Sequence, residues 1–91
     1  MAIFLVTYDL RAPGRDYSAL YQRLRACTTA KALESVWLID TAQSAADVVD
    51  NLRQVMDGND RLLVAKLEGP SNWTSLIPGA DEFLWARFGR A

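Results

Sequence analysis

The sequence contains no histidine and a single cysteine, Cys27. Without histidine, a Ser-His or Cys-His nucleophile pair cannot be built, and neither can a histidine-ligated metal site. One thiol excludes an intrachain disulfide and a multi-thiolate zinc centre, so Cys27 reads as a buried structural side chain. Long apolar runs are missing too. The run from Ile3 to Tyr8 falls far short of the roughly 20 residues that a membrane-spanning helix needs, and Asp9 and Arg11 interrupt it. No signal peptide is recognisable, and the expectation is a cytoplasmic protein with no membrane partner. Neither sign of charge dominates: 10 basic and 11 acidic side chains leave a net charge of −1. That balance argues against a strongly basic nucleic-acid binder. Internal repeats and low-complexity tracts are absent. Chemistry in such a chain has to come from carboxylates, hydroxyls, arginines or a metal held by oxygen ligands.

A chain of 91 residues, 51% hydrophobic and 23% charged, suits one globular domain and not two. The stretch Ile3-Phe4-Leu5-Val6-Thr7-Tyr8-Asp9-Leu10 organises the rest. It is apolar on both alternating faces, which predicts a central strand covered on two sides. It ends in one carboxylate, Asp9, and the loop Arg11-Ala12-Pro13-Gly14-Arg15 follows. Charge is unevenly spread: residues 1–31 carry +3, residues 32–60 carry −5 and residues 61–91 carry +1. A basic patch near the first strand and helix is one reading of this, and a solvated helix face is the plainer one.

Asp16 is a suitable cap for a first helix, on which Tyr17, Leu20, Tyr21 and Leu24 recur at helical spacing. The periodicity ends near Cys27-Thr28-Thr29. A short strand is predicted over Ala30–Leu33, a tight reversal or bulge at Glu34-Ser35, and a strand over Val36–Ile39. Ser44-Ala45-Ala46-Asp47 has the spacing of a capping box, opening a helix with Val48, Val49, Leu52, Val55 and Met56 on one side. Gly58 is expected to stop it in the left-handed conformation. Arg61–Glu68 reads as the last strand, and Phe83, Leu84, Trp85 and Phe88 mark a short terminal helix after Ile77-Pro78-Gly79. Trp73 is expected to pack back on the core or cap a sheet face.

The expected fold is therefore α+β: a ferredoxin-like βαββαβ sandwich with a four-stranded antiparallel sheet. Two helices of about 11 to 13 residues would cover one face. Residues 1–68 form the core, and residues 69–91 form a C-terminal extension of the same domain. The first strand would lie between the third and fourth. That arrangement gathers Asp9, Arg11, Arg15, Glu34, Ser35, Asp60 and Arg61 at one end of the sheet. The unpaired N–H groups of the first helix would point to the same end and favour an anion. Strands apolar on both sides leave a second face to be covered, either by the C-terminal segment or by a second copy.

Tyr8-Asp9-Leu10 at the end of the first strand, followed by Leu33-Glu34-Ser35-Val36-Trp37-Leu38 at the reversal, resembles the small CRISPR-associated Cas-two-like proteins. The resemblance extends to their VapD-like and SinR-like relatives and covers roughly residues 2–68. Asn72-Trp73-Thr74 in the tail is more similar to the SinR-like members. The resemblance implies a homodimer and, in its catalytic form, a metal-dependent nuclease acting on RNA or DNA. Asp9 matches the family acid, and one copy from each protomer would hold Mg²⁺ or Mn²⁺. Ser35 matches the serine at the reversal and would meet a phosphate oxygen or a metal-bound water. Arg11, Arg15 and Arg61 are the expected substrate contacts. The chain departs from many nucleic-acid-handling members in lacking a dense basic first helix, and its pI is about 5.2. The alternative is a non-catalytic dimeric scaffold or protein-interaction module, with Asp9 simply pairing with a nearby arginine. A small-ligand sensor on the same layer is a third class. Tyr8 is expected to pack in the core, and Trp37 in the core or at a dimer interface.

Overall fold

The computed structural model describes residues 2–68 and 74–88. Trp73 and the Asn72-Trp73 part of the tail motif lie outside the described residues. In chain order the elements are β1 (Ala2–Asp9), α1 (Ser18–Arg25), β2 (Thr28–Leu33), β3 (Val36–Thr41), α2 (Ala45–Arg53), β4 (Arg61–Leu67) and α3 (Ala80–Phe88). The four strands form one sheet in the order β2-β3-β1-β4, and every neighbouring pair is antiparallel. The protein is thus a small α+β domain with a four-stranded antiparallel sheet and three helices. β1 is central, as its two apolar faces require.

Alternation along β1 builds two cores. Phe4, Val6 and Tyr8 face one side, where they pack with Trp37 and Ile39 of β3, Leu20 and Leu24 of α1, and Val48 and Leu52 of α2. Ile3 faces the other side with Leu38, Ala32 and the α3 residues Ala80, Phe83 and Leu84. The C-terminal helix therefore covers part of the face that α1 and α2 leave open. It is fastened by Arg87, whose Nε donates to Asp40 Oδ2 at 2.8 Å while its guanidinium lies 3.7 Å from the Phe83 ring. The chain before α3 is strapped to the sheet margin by Ile77 N–H, which donates to the Ala32 carbonyl at 3.0 Å. Cover stops short of β4. Leu63 is 58% exposed, opposite Thr7 and on the same face as Leu5 and Ala65.

Several local expectations are revised. The helices are shorter than expected, at 8 residues for α1 and 9 for α2. β2 begins at Thr28, two residues earlier than the apolar pattern alone marks. Its threonines are good strand formers, and Thr29 Oγ1 donates to the Leu38 carbonyl at 2.7 Å. The reversal at Glu34-Ser35 is a turn, with a register shift between Lys31 and Leu33 that leaves Leu33 48% exposed. Ser44 does cap α2, accepting from Asp47 N–H at 3.1 Å. Gly58 does not stop that helix, because the glycines with positive φ are Gly14 and Gly79 among the described residues. Instead α2 ends at Arg53, and its guanidinium closes the following loop by donating to the Asp60 carbonyl at 3.0 Å and to the Gly58 carbonyl at 3.4 Å. Cys27 is half-buried against the first core rather than fully buried. No helix among the described residues is long and apolar enough to cross a membrane.

Candidate functional site at the Asp9 end of the sheet

Three connections converge where β1 ends: the β1–α1 loop, the β2–β3 turn and the α2–β4 loop. The first is shaped by Pro13-Gly14. Arg15 N–H donates to the Ala12 carbonyl at 3.1 Å, and Gly14 sits at φ 82°, a turn in which only glycine is unstrained. The loop is then pinned to the start of β4 by Asp60. Its Oδ1 accepts from Arg11 N–H at 2.6 Å and from the Tyr17 hydroxyl at 2.8 Å, and its Oδ2 accepts from Asp57 N–H at 2.8 Å. Asp60 is 7% exposed. Burial works against its charged form, but the Arg11, Asp57 and Tyr17 donors outweigh it and hold the carboxyl below its ordinary range. Burial also raises the Tyr17 hydroxyl, and the bond to Asp60 adds to the shift. Asp60 is therefore the anchor of this end, and not a free ligand.

Asp9 behaves oppositely. It pairs with Arg61 in the β1–β4 register, and Arg61 Nη1 lies 3.8 Å from Asp9 Oδ2, with both side chains about two-thirds exposed (68% and 69%). An ion pair this open contributes at most about 1 kcal/mol. Asp9 borders two depressions. One, of about 260 Å³, lies at the β1–β4 end and is lined by Thr7, Tyr8, Arg61, Leu62 and Leu63. The other, of about 520 Å³, lies between the β1–α1 loop and the β2–β3 turn and is lined by Tyr8, Asp9, Arg11, Tyr21, Glu34 and Ser35. The inner wall of that cleft is aromatic. Trp37 Nε1 donates to the Tyr8 hydroxyl at 2.9 Å, and the Tyr21 and Trp37 rings stack at 6.3 Å. Burial raises the Tyr8 hydroxyl above its ordinary range.

Four of the expected neighbours, Asp9, Arg11, Glu34 and Ser35, thus share one cleft, and Arg61 stands beside Asp9. Arg15 is drawn away: its guanidinium lies 3.8 Å from Asp57 and 5.6 Å from the Tyr17 ring centre. The N-cap of α1 is Tyr17, which makes no side-chain cap bond, and Asp16, one residue earlier, accepts from Ser18 N–H at 2.9 Å through Oδ1. That bond also lowers the Asp16 carboxyl. Among the described residues no three acidic or thiol side chains converge as a metal-ligand set. Asp9 and Glu34 are the acidic side chains that line this cleft.

No family model and no solved structure matches this chain. Its function has to be read from this end of the sheet. Sequence reading placed Asp60 among the neighbours without recognising it as the anchor; the signal available was its position directly before β4, where a short acid can bond loop N–H groups. Tyr21, assigned to the core stripe of α1, also lines the cleft, and nothing in helical periodicity separates those two roles.

Proposed function

We propose that the protein is a ferredoxin-like, Cas-two-like homodimer in which the Asp9 carboxylates of two protomers share Mg²⁺ or Mn²⁺ and serve phosphodiester hydrolysis of RNA or DNA. The observation that carries this reading is the placement of Asp9 beside an uncovered apolar surface. Asp9 and Leu63 lie on the same face of the β1–β4 pair, on the side that α3 leaves bare. Covering Leu63 is favourable at about 25 cal/mol per Å² of apolar area, and a second copy seated there brings a second Asp9 to the same region. The element order and the β2-β3-β1-β4 sheet support the ferredoxin-like layering. A bound divalent cation would activate water and neutralise phosphate charge. The chain's own contributions would be Asp9 as ligand, Ser35 as a hydroxyl toward a phosphate oxygen, and Arg11 and Arg61 as cationic contacts. Arg15 contributes only if it leaves Asp57.

A second reading, a non-catalytic dimeric scaffold or protein-interaction module related to CRISPR adaptation or toxin–antitoxin proteins, is favoured by Arg61. Its guanidinium already balances Asp9, and Asp9 then serves the surface instead of a metal. The deciding experiment is cleavage of labelled single-stranded RNA and double-stranded DNA with Mg²⁺ or Mn²⁺, with oligomeric state measured by light scattering. Activity lost in Asp9→Asn and with chelator, in a variant that still dimerises, is the expected result. Equal activity in Asp9→Asn overturns the hydrolytic reading, and an intact dimer that cleaves neither substrate leaves the scaffold.

A further inference from the structure

Most of the described basic side chains have a partner. Arg23 donates from Nη1 to the Asn51 carbonyl, Asn51 Oδ1 and Gln54 Oε1, joining α1 to α2. Arg53 holds the α2–β4 loop, Arg87 holds α3, and Arg15 and Arg61 face Asp57 and Asp9. Lys31 and Lys66 face Glu34 and Glu68, and Arg25 lies over the Trp37 ring. Arg11 alone among the described basic residues has a side chain with neither a carboxylate, a carbonyl nor a ring as partner. Its backbone is nevertheless fixed by Asp60, so this one free guanidinium is carried on an anchored loop.

That inventory bears on what the cleft can accept. Duplex binding draws its affinity from many phosphate contacts at once, whereas this cleft offers Arg11, with Arg61 beside it in an open pair with Asp9. An unpaired nucleotide needs less: one cation for its phosphate and one aromatic surface for its base. The cleft has both. Arg11 stands on one wall, and Tyr21, half-buried and backed by Trp37, stands on another. The Ser35 hydroxyl adds a polar group suited to a base edge or a sugar, and Asp9 sits on the rim. A volume of about 520 Å³ gives room for a nucleotide unit.

We propose that the cleft between the β1–α1 loop and the β2–β3 turn is a subsite for one unpaired nucleotide, with its base against Tyr21 and its phosphate toward Arg11. The proposal rests on the nucleic-acid reading above and narrows it to single strands. Because base stacking and one phosphate contact are common to RNA and DNA, both are probed.

The test is fluorescence anisotropy on the full-length protein in an Asp9→Asn background, with a labelled 12-nucleotide RNA, the matching DNA strand and the corresponding DNA duplex. The single strands are expected to bind at least tenfold more tightly than the duplex. Tyr21→Leu should lower single-strand affinity about tenfold. Arg11→Gln, an exposed change that spares the fold, should lower it several-fold and reduce the salt slope by about one. Equal or tighter duplex binding overturns the subsite, as does single-strand binding unchanged by both substitutions or no binding of any probe. Cleavage by the unsubstituted protein separates the two ideas. Single-strand binding through Tyr21 and Arg11 without cleavage leaves the subsite standing and removes the hydrolytic reading. Cleavage with a kcat/KM indifferent to both substitutions does the reverse.

Discussion

The Tyr17 hydroxyl donates to Asp60 Oδ1 at 2.8 Å, joining the residue before α1 to the residue before β4 across 43 positions of sequence. The same oxygen accepts from Arg11 N–H, so one carboxylate fixes both the loop that follows Asp9 and the helix that follows the loop. Replacing Asp60 by Ala strands these donors in a buried site. Hydrogen bonds to a charged acceptor are worth about 1.5–3 kcal/mol each, partly offset by water entering the gap. Asp60→Ala should therefore destabilise the fold by about 3 kcal/mol, read as a lower urea midpoint with an unchanged m-value. Tyr17→Phe removes one of the bonds and should cost clearly less. A loss for Asp60→Ala no greater than that for Tyr17→Phe would show that the carboxylate is not the anchor.

The same carboxylate makes the fold acid-sensitive. Its folded pKa is depressed below the ordinary value of 3.8, so its contribution is fully present above that value and is lost as pH falls through the lower, folded one. Asp16 is depressed by its bond from Ser18 and acts in the same direction. Stability should be flat with respect to these two groups near neutrality and should drop steeply below about pH 4. Asp60→Asn carries no such titration. Urea midpoints compared at neutral pH and near pH 3 should show a smaller acid loss in that variant than in the unsubstituted protein; an identical loss would assign the acid limb elsewhere.

The gross order of elements was legible because β1 has no polar face and both α1 and α2 show clean apolar stripes. Tyr8 and Trp37 were legible for the same reason, since their parity along β1 and β3 turns them toward the helices. The loop after α2 was not. Gly58 suggested a left-handed stop, whereas the turn is closed by Arg53 on two carbonyls and by Asp60 on Asp57 N–H, contacts that sequence spacing does not encode. The role of α3 was half legible. Its apolar residues announce a buried side, but they do not say which half of the sheet receives it; the partner that decides is Asp40, on β3 rather than β4.

That clasp gives a third prediction. Arg87 joins Asp40 at 2.8 Å with both side chains largely shielded, and it stacks on Phe83 at 3.7 Å. Arg87→Ala loses the ion pair and the stacking together and should cost about 1–2 kcal/mol. Arg87→Lys keeps the charge but not the planar group that lies on the ring, so it should recover only part of the loss. Hydrogen exchange provides the check. Amides of α3 should exchange faster in Arg87→Ala while those of β1 keep their protection, and equal acceleration in both would mean that α3 does not open separately from the sheet.

The last prediction concerns the half of the sheet face that α3 leaves bare. Leu63 is 58% exposed, and the charged pair Asp9–Arg61 lies next to it at the end of the same two strands. In the dimer proposed above, a second copy related by a two-fold axis would meet this surface with its own leucine and its own Asp9–Arg61 pair. Leu63→Lys places a charge where the apolar contact should form, and because the side chain is already exposed in the single chain, the fold of that chain should lose no more than about 0.5 kcal/mol of stability. Sedimentation should show the unsubstituted protein as a dimer and Leu63→Lys as a monomer. A double exchange, Asp9→Arg with Arg61→Asp, keeps both charges on the surface and should restore whatever association the single Asp9→Arg change loses. A Leu63→Lys protein that remains fully dimeric would move the interface to another surface, and Asp9 of one protomer would then have no copy of itself to share a metal with.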